Sequence, residues 1–421
     1  MSKPKIAVHQ LGGCDRCLWH TLAIGNWDKY EIVHHSLLNG GKSIPKNLDV
    51  DTLVLTGFAT REDTDALKKL NSDAARVVAF GTCPATGGIF GLANQRGGNV
   101  ISVCNELFAD YAVMGCPPSS DALQEALVKD SESTIEPLCK SCNRSFEEET
   151  FYEIVRPFAV ESAESCYNRQ GHPCSGVVSG SCAQRCVDFN TPCRGCVNLI
   201  DCPSLGMVGY FGTMARNIEV ETVANIWTTD KLGDGPDDLT DSMVDVVGTF
   251  FRFHLACAFQ QSGTAPSTGN LYSDIMIGRP IEEAIQIAAT IYGSKGVDVA
   301  LTMIDAYESA VGFVPTDETI ELRQMLKNAQ DEWSNVKDSP NHTSFTRVSH
   351  DISKIGGNEV LSNAFFFGFR TPIKDVGHPY DSYKFDSFEP IAVKASYEDE
   401  KCCLRFSTDE KGILREWSCE F

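Results

Sequence analysis

The stretch KIAVHQLGGCDRC, residues 5–17, begins with a short apolar and β-branched run and ends with glycines and two cysteines. Three later runs of the same kind have strand length and lie at residues 51–56, 76–81 and 110–115. Helical patterns lie at about residues 61–71 and 119–130. Short apolar runs that alternate with helices predict βαβ units and a doubly wound parallel sheet. The chain is therefore expected to begin with an α/β domain.

Four cysteines follow the carboxyl ends of these predicted strands, namely Cys14, Cys17, Cys83 and Cys116. In an open parallel sheet the loops at those ends meet at one edge, where ligands bind. Four thiolates can hold either a tetrahedral zinc ion or a [4Fe-4S] cluster, and their spacing leaves both open. The glycines of GTCPATGGIFG, residues 81–91, let the backbone approach a bulky group. We predict one four-cysteine metal site at this edge.

Eight more cysteines lie within 58 residues, in the spacings Cys-x2-Cys-x23-Cys-x7-Cys and Cys-x3-Cys-x6-Cys-x2-Cys. They are Cys139, Cys142, Cys166, Cys174, Cys182, Cys186, Cys193 and Cys196. Eight ligands suit two four-cysteine sites. The segment is rich in Gly, Ser and Pro, so metal centres are expected to organise it in place of a large apolar core. A pair of structural zinc ribbons is the alternative, and it would imply a zinc-stapled binding module.

Composition narrows the class of protein. The formal net charge is −21, from 57 acidic and 36 basic residues, which disfavours nucleic acid and anionic lipid as partners. The N-terminus lacks the pattern of a secretory signal, and no apolar run reaches membrane-spanning length. We therefore expect a cytoplasmic protein without membrane insertion. In a reducing cytosol, 18 cysteines indicate metal ligation rather than a disulfide framework.

The motifs LGGCDRC, GTCPATGGIFG and GCPP, the cysteine array that ends in TPCRGC, and VGTFFRFH at residues 247–254 together resemble one family. It is the small (gamma) subunit of cytoplasmic [NiFe] hydrogenases, and the resemblance is strongest to the coenzyme F420-reducing and methyl-viologen-reducing types. The resemblance covers residues 5 to about 260. It implies a flavodoxin-like domain with a proximal cluster at residues 1–133, and a loop-rich, ferredoxin-like domain with two clusters at residues 134–262.

The resemblance also assigns three [4Fe-4S] clusters to the twelve cysteines. The proximal ligands would be Cys14, Cys17, Cys83 and Cys116. The distal ligands would be Cys139, Cys142, Cys166 and Cys174. The medial ligands would be Cys182, Cys186, Cys193 and Cys196. Arg16 stands where the family usually has glycine, and two interpretations are open: its cation raises the potential of the proximal cluster, or it crowds the interface with the large subunit.

The resemblance implies an electron relay and no bond-breaking site in this chain. Hydrogen would be split at a Ni-Fe centre in a large subunit, and electrons would pass through the three clusters to a flavoprotein or a heterodisulfide-reductase-type acceptor subunit. The same relay in a hydrogenase-like complex that lacks the Ni site is the second interpretation.

Residues 263–421 are expected to form a C-terminal extension that is helical in its first half and docks onto another subunit. GRPIEEAIQIAATIYG places Pro280 at the first position of a helix with acids in its first turn. VDVALTMIDAYESAVG continues with helical spacing, and a third helix is expected from Thr316 to about residue 330. NAFFFGFRTP, residues 363–372, has four phenylalanines, which favours either docking or a small separate core.

Overall fold

The computed structural model of the chain describes residues 2–22, 27–40, 48–107, 109–118, 120–128, 136–145, 165–182, 185–188, 192–197, 244–258, 265–312, 392–398 and 402–421, with residues 154, 156, 314 and 315 and scattered helical positions from 317 to 331. The phenylalanine-rich stretch at 363–372 lies outside the described residues. None of the helices in the described part is long and apolar enough to cross a membrane.

Ten strands are described: β1 Lys5–Gln10, β2 Glu31–His35, β3 Thr52–Thr56, β4 Ala59–Thr60, β5 Val77–Phe80, β6 Val100–Ile101, β7 Tyr111–Val113, β8 Lys394–Glu398, β9 Cys403–Thr408 and β10 Leu414–Glu420. Five of them form a parallel sheet in the order β2-β1-β3-β5-β7. β2 lies on one side of β1, and β3, β5 and β7 follow on the other side. The strand order therefore switches sides between β1 and β3, which is the point where a doubly wound sheet binds its ligand. The predicted N-terminal α/β domain is confirmed.

The described α-helices are Arg16–Leu22, Thr64–Ser72, Thr82–Thr86, Val103–Leu107, Ser120–Val128, Arg185–Asp188, Val246–Phe250, Leu255–Ala258, Leu271–Met276, Ile281–Ile291 and Gly296–Val311. In the first domain they cover both faces of the sheet. Successive residues of β1 show this, since Ile6 and Val8 belong to one apolar cluster while Ala7 belongs to the cluster on the opposite face. The period-2 alternation of a strand therefore builds two cores.

The four strands expected from the sequence are found within two residues of their predicted ends, whereas β2 was not predicted. Its sequence EIVHH is largely solvent-facing in its first three positions, and β2 lies at an edge of the sheet. An edge strand carries a weak apolar signal, which explains the omission.

The C-terminal part packs onto the first domain. Ile281–Ile291 is buried at all eleven positions, and its apolar residues share one cluster with Phe90 of the glycine-rich loop. β8, β9 and β10 form an antiparallel sheet that was not predicted, and Leu404, Phe406 and Trp417 join the same cluster. At least this portion of the chain is thus part of the protein's own interior. A docking role for residues 263–421 stays a prediction, as do the predicted domain bounds.

Candidate metal centres

The first four-cysteine set lies at the carboxyl edge of the parallel sheet, as strand order predicts. Cys14 and Cys17 follow β1, Cys83 lies on the helix after β5, and Cys116 follows β7. Cys17 and Cys83 are buried, while Cys14 and Cys116 are partly exposed. The topology therefore brings four thiols from three strand ends to one place.

Electrostatic coupling among the thiols shows that the four are neighbours. Burial raises the pKa of Cys17 well above its ordinary value, and the nearby thiols of Cys14 and Cys116 raise it further. Burial also raises the pKa of Cys83, with added contributions from Cys14 and Cys17. A buried group of this kind resists ionisation unless a cation compensates it, and metal coordination removes the proton from a thiol outright.

Two glycines leave the room that a bulky group at these sulfurs requires. A Cβ atom at Gly81 would lie 2.8 Å from the Cys17 Sγ, and one at Gly88 would lie 2.6 Å from the Cys83 Sγ. Both residues have positive φ angles, 112° and 55°. The donor set and this glycine cradle fit an iron-sulfur cluster, because only glycine allows the backbone to approach so closely.

A second set is formed by Cys139, Cys142, Cys166 and Cys174. Burial raises the pKa of Cys139 to about 12, with further contributions from the other three thiols of the set. Among the described residues of this segment, the buried apolar cluster consists of Leu138, Tyr167, Cys174, Val187 and Cys193.

The third set contains Cys193, whose pKa is raised well above its ordinary value by burial and then by Cys174, Cys196 and Cys182. Its fourth member, Cys186, lies on the short helix Arg185–Asp188. The Cys193 backbone N–H donates to the Cys174 Sγ at 3.2 Å, which joins this set to the second.

Contacts on the other side join the third set to the first. Cys196 contributes to the raised pKa of Cys116, after burial, Cys83 and Cys14. The Thr82 hydroxyl, next to Cys83, donates to the Cys196 carbonyl at 2.5 Å. The third set therefore has neighbours in both other sets. Within the described residues, no group of three or more His, Cys, Asp or Glu side chains is arranged to hold a single metal ion.

Arg16 is the main site residue whose partner the sequence did not reveal. Its side chain is only 6% exposed, and Nη2 donates to the Ala289 carbonyl at 2.8 Å. Gly293 packs on the same loop, since a Cβ atom there would lie 3.6 Å from both Cα and Cβ of Cys14. Of the two interpretations, burial against the chain's own helix favours an electrostatic effect on the first cysteine set.

A buried ion-pair network binds the third set to the first turn of the helix Ile281–Ile291, whose last turn binds Arg16. Arg194, between Cys193 and Gly195, donates to the Glu283 carboxylate at 2.5 Å, and Arg252 donates to its other oxygen. Burial alone would raise the pKa of Glu283, but Arg194 and Arg252 outweigh it and hold that pKa at about 2. Glu283 is therefore ionised throughout the neutral range.

His254 supports the third set from a second direction. Its Nε2 lies 2.5 Å from the Gly195 carbonyl, and burial lowers its pKa to about 4 although that contact opposes the shift. At neutral pH the ring is thus uncharged, and Nε2 carries the proton that it donates to the carbonyl. The motif VGTFFRFH, which ends at His254, gave the only sequence signal for this residue.

Comparisons with known proteins agree with the site. The family described as NADH ubiquinone oxidoreductase, 20 Kd subunit, matches residues 13–129, which contain the first cysteine set. The chain is 27% identical to a subunit of the F420-non-reducing vhu hydrogenase of Methanocaldococcus jannaschii, over 47% of this chain and 82% of that protein. It is 28% identical to a subunit of the F420-non-reducing hydrogenase of Methanothermobacter thermautotrophicus, over 61% of this chain and 96% of that protein.

A solved NAD+-reducing [NiFe]-hydrogenase in the H2-reduced state has a similar chain, with 19% identity, a TM-score of 0.27, and coverage of 30% of this chain and 89% of that one. A TM-score this low supports no inference about fold or function. Both relatives named above are F420-non-reducing, so the expectation of an F420-reducing type is not supported. The sequence similarities support a small-type subunit of a hydrogenase complex, which makes the chain part of an oxidoreductase.

Proposed function

We propose that this chain is the electron-transfer small subunit of a cytoplasmic [NiFe] hydrogenase, and that twelve of its 18 cysteines hold three [4Fe-4S] clusters. The clusters would supply one-electron chemistry, while the chain sets their order, burial and surrounding charge. The observation that carries the proposal is the placement of the cysteines. Three sets are coupled in the order first, third, second, through the Cys116–Cys196 and Cys193–Cys174 neighbours.

This order supports the assignment of Cys182, Cys186, Cys193 and Cys196 as the medial set. Electrons entering at the first set would reach the third before the second, because only the third has described neighbours in both. The second set, where Cys139 is exposed, would then lie at the exit toward a flavoprotein or a heterodisulfide-reductase-type acceptor.

The large subunit is proposed to meet the first set at the carboxyl edge of the sheet. Cys14 and Cys116 are partly exposed there, whereas Cys17 and Cys83 are covered.

Iron and acid-labile sulfide in the anaerobically purified complex test the cluster content. About twelve iron atoms for this chain are expected from three four-iron clusters. Zinc bound at these cysteines in place of iron would overturn the proposal and leave the zinc-stapled module. Clusters without any H2-dependent dye reduction by the intact complex would instead favour a partner that lacks Ni.

The proposed route is tested by two serine variants, since a serine hydroxyl is a harder and less acidic ligand than a thiol. Cys17→Ser should abolish electron transfer from H2 to every acceptor. Hydrogen-deuterium exchange at the partner's Ni site should persist, because it needs no net electron flow. Cys142→Ser should impair the natural acceptor most and leave small dyes partly active. Normal reduction of the natural acceptor by an assembled Cys17→Ser complex would contradict the route.

A further inference from the structure

Arg16 places a buried positive charge beside the first cysteine set, and a distant helix fixes it there. The residue lies between Cys14 and Cys17 in the chain and is 6% exposed. Its donor contact with the Ala289 carbonyl, at 2.8 Å, is buried and spans 273 residues of sequence. A long basic side chain held in this way has lost the freedom to reach solvent, so its charge acts locally.

The partner of Arg16 is suited to a cation. Ala289 is among the last residues of the helix Ile281–Ile291, where carbonyls are not all used within the helix and carry the negative end of its dipole. The helix is buried along its whole length, so this carbonyl is a fixed acceptor. Gly293, just beyond the helix, packs directly on Cys14 and Asp15. The contact therefore orients Arg16 as well as neutralising part of a buried helix end.

Arg16 lies directly before Cys17 and two residues after Cys14, and the Ala289 carbonyl that binds it is on the same helix end as Gly293, which packs on Cys14. The buried guanidinium is therefore held beside the first cysteine set. A reduced cluster carries one more negative charge than an oxidised one. A nearby buried cation therefore stabilises the reduced form and raises the potential.

We propose that the positive charge of Arg16, which the Ala289 carbonyl holds in place, raises the reduction potential of the first cluster. The inference rests on the proposed function, since it requires a cluster at Cys14, Cys17, Cys83 and Cys116. It gives the helix Ile281–Ile291 a role in setting the energy of the first electron-accepting step. A higher potential makes this cluster a better acceptor for electrons that enter from a partner subunit.

The test is an EPR-monitored redox titration of the anaerobically purified complex. The signal of the first cluster is identified as the one lost in Cys17→Ser. Arg16→Gln should lower the midpoint so that, at a fixed potential, the ratio of reduced to oxidised first cluster falls about tenfold, or about 59 mV for one electron. Arg16→Lys keeps a charge and should retain most of the potential. Arg96→Gln, which removes a half-buried arginine that donates to the Pro266 carbonyl, should cause no shift.

The salt dependence of the midpoint potential gives a second check. The difference in midpoint potential between wild type and Arg16→Gln should be the same at low and high salt, because a buried charge is poorly screened. Arg16→Met replaces Arg16→Gln if the latter fails to assemble. An unchanged midpoint in an assembled neutral variant, or a gap that disappears in high salt, would overturn this inference. Absence of any iron-sulfur signal in the wild-type complex would instead overturn the proposed function.

Discussion

Glu283→Gln tests whether the buried ion pairs hold the third cysteine set in place. The substitution keeps the shape of the side chain and one acceptor oxygen but removes the charge that faces Arg194 and Arg252. Glu283 is 4% exposed and Arg252 is 3% exposed, so water cannot replace the lost partner. The variant leaves two buried cations that share no carboxylate.

The magnitude follows from the pKa of Glu283, which lies at about 2 against an ordinary value of 4.5. At about 1.4 kcal/mol for each unit, the folded state gains roughly 3 kcal/mol from the ionised form. Loss of one partner from a buried pair typically costs about 3–5 kcal/mol, which agrees. We expect Glu283→Gln to reduce the free energy of unfolding by about 3 kcal/mol at pH 7.

The pH dependence has a definite sign. Because the folded-state pKa is depressed, the contribution is fully present above the unfolded value of 4.5 and is lost as the pH falls from there toward 2. The difference in free energy of unfolding between wild type and Glu283→Gln should therefore be constant from pH 8 to pH 5 and should become smaller below pH 4.5. This difference in stability is measured from urea unfolding midpoints of the protein under anaerobic conditions, from pH 8 down to the lowest pH at which the protein stays folded.

The matched control is Glu136→Gln, which removes the same chemical group from an exposed pair with Lys140 at 3.1 Å. An exposed pair is worth about 0–1 kcal/mol at most, so the control should behave as wild type. Iron release to a chelator should also be faster in Glu283→Gln, because Arg194 adjoins Cys193. If the two variants lost equal stability, or if only the control did, the ion-pair network would not be what holds this segment.

Two further substitutions probe the surroundings of the cysteines. Gly88→Ala should remove about four iron atoms from the protein by iron analysis, because its Cβ would lie 2.6 Å from the Cys83 Sγ, whereas Gly97→Ala, which has a similar positive φ and open space around it, should keep them. In His254→Gln, the free energy of unfolding should fall less between pH 6.5 and pH 4 than it does in wild type. In wild type the pKa of His254 is about 4 when folded, so the unfolded chain takes up a proton first as the pH falls. An unchanged pH profile of urea midpoints in His254→Gln would refute the assignment of a neutral buried ring.

The sequence predicted the parallel sheet and the position of the first cysteine set because both depend on local signals. Apolar runs of strand length are visible in the residues themselves, and a parallel sheet places the loops after them at one edge. β2 was missed because an edge strand with exposed residues has no such run. β8, β9 and β10 were missed for a related reason, since strands such as LREWSCE bury only two residues, Leu414 and Trp417.

The contacts around the cysteines could not be predicted, because they join residues far apart in the chain. Arg16 and Ala289 are separated by 273 positions, and Arg194 and Glu283 by 89. A lone arginine next to a cysteine, or two acids in the first turn of a helix, has many solvent-exposed explanations. Only the packing of the helix Ile281–Ile291 inside the protein turns these residues into partners.

That helix connects the two halves of the proposed relay. Its first turn carries Glu283, which holds Arg194 beside Cys193, and its last turn carries the Ala289 carbonyl, which holds Arg16 beside Cys14 and Cys17. Glu283 and Ala289 are six residues apart, which is about 9 Å along the helix axis, and a buried helix changes little in length. The first and third cysteine sets are therefore tied to opposite ends of one rigid element. Since electron transfer depends steeply on distance, such an element keeps the separation between the two sets constant.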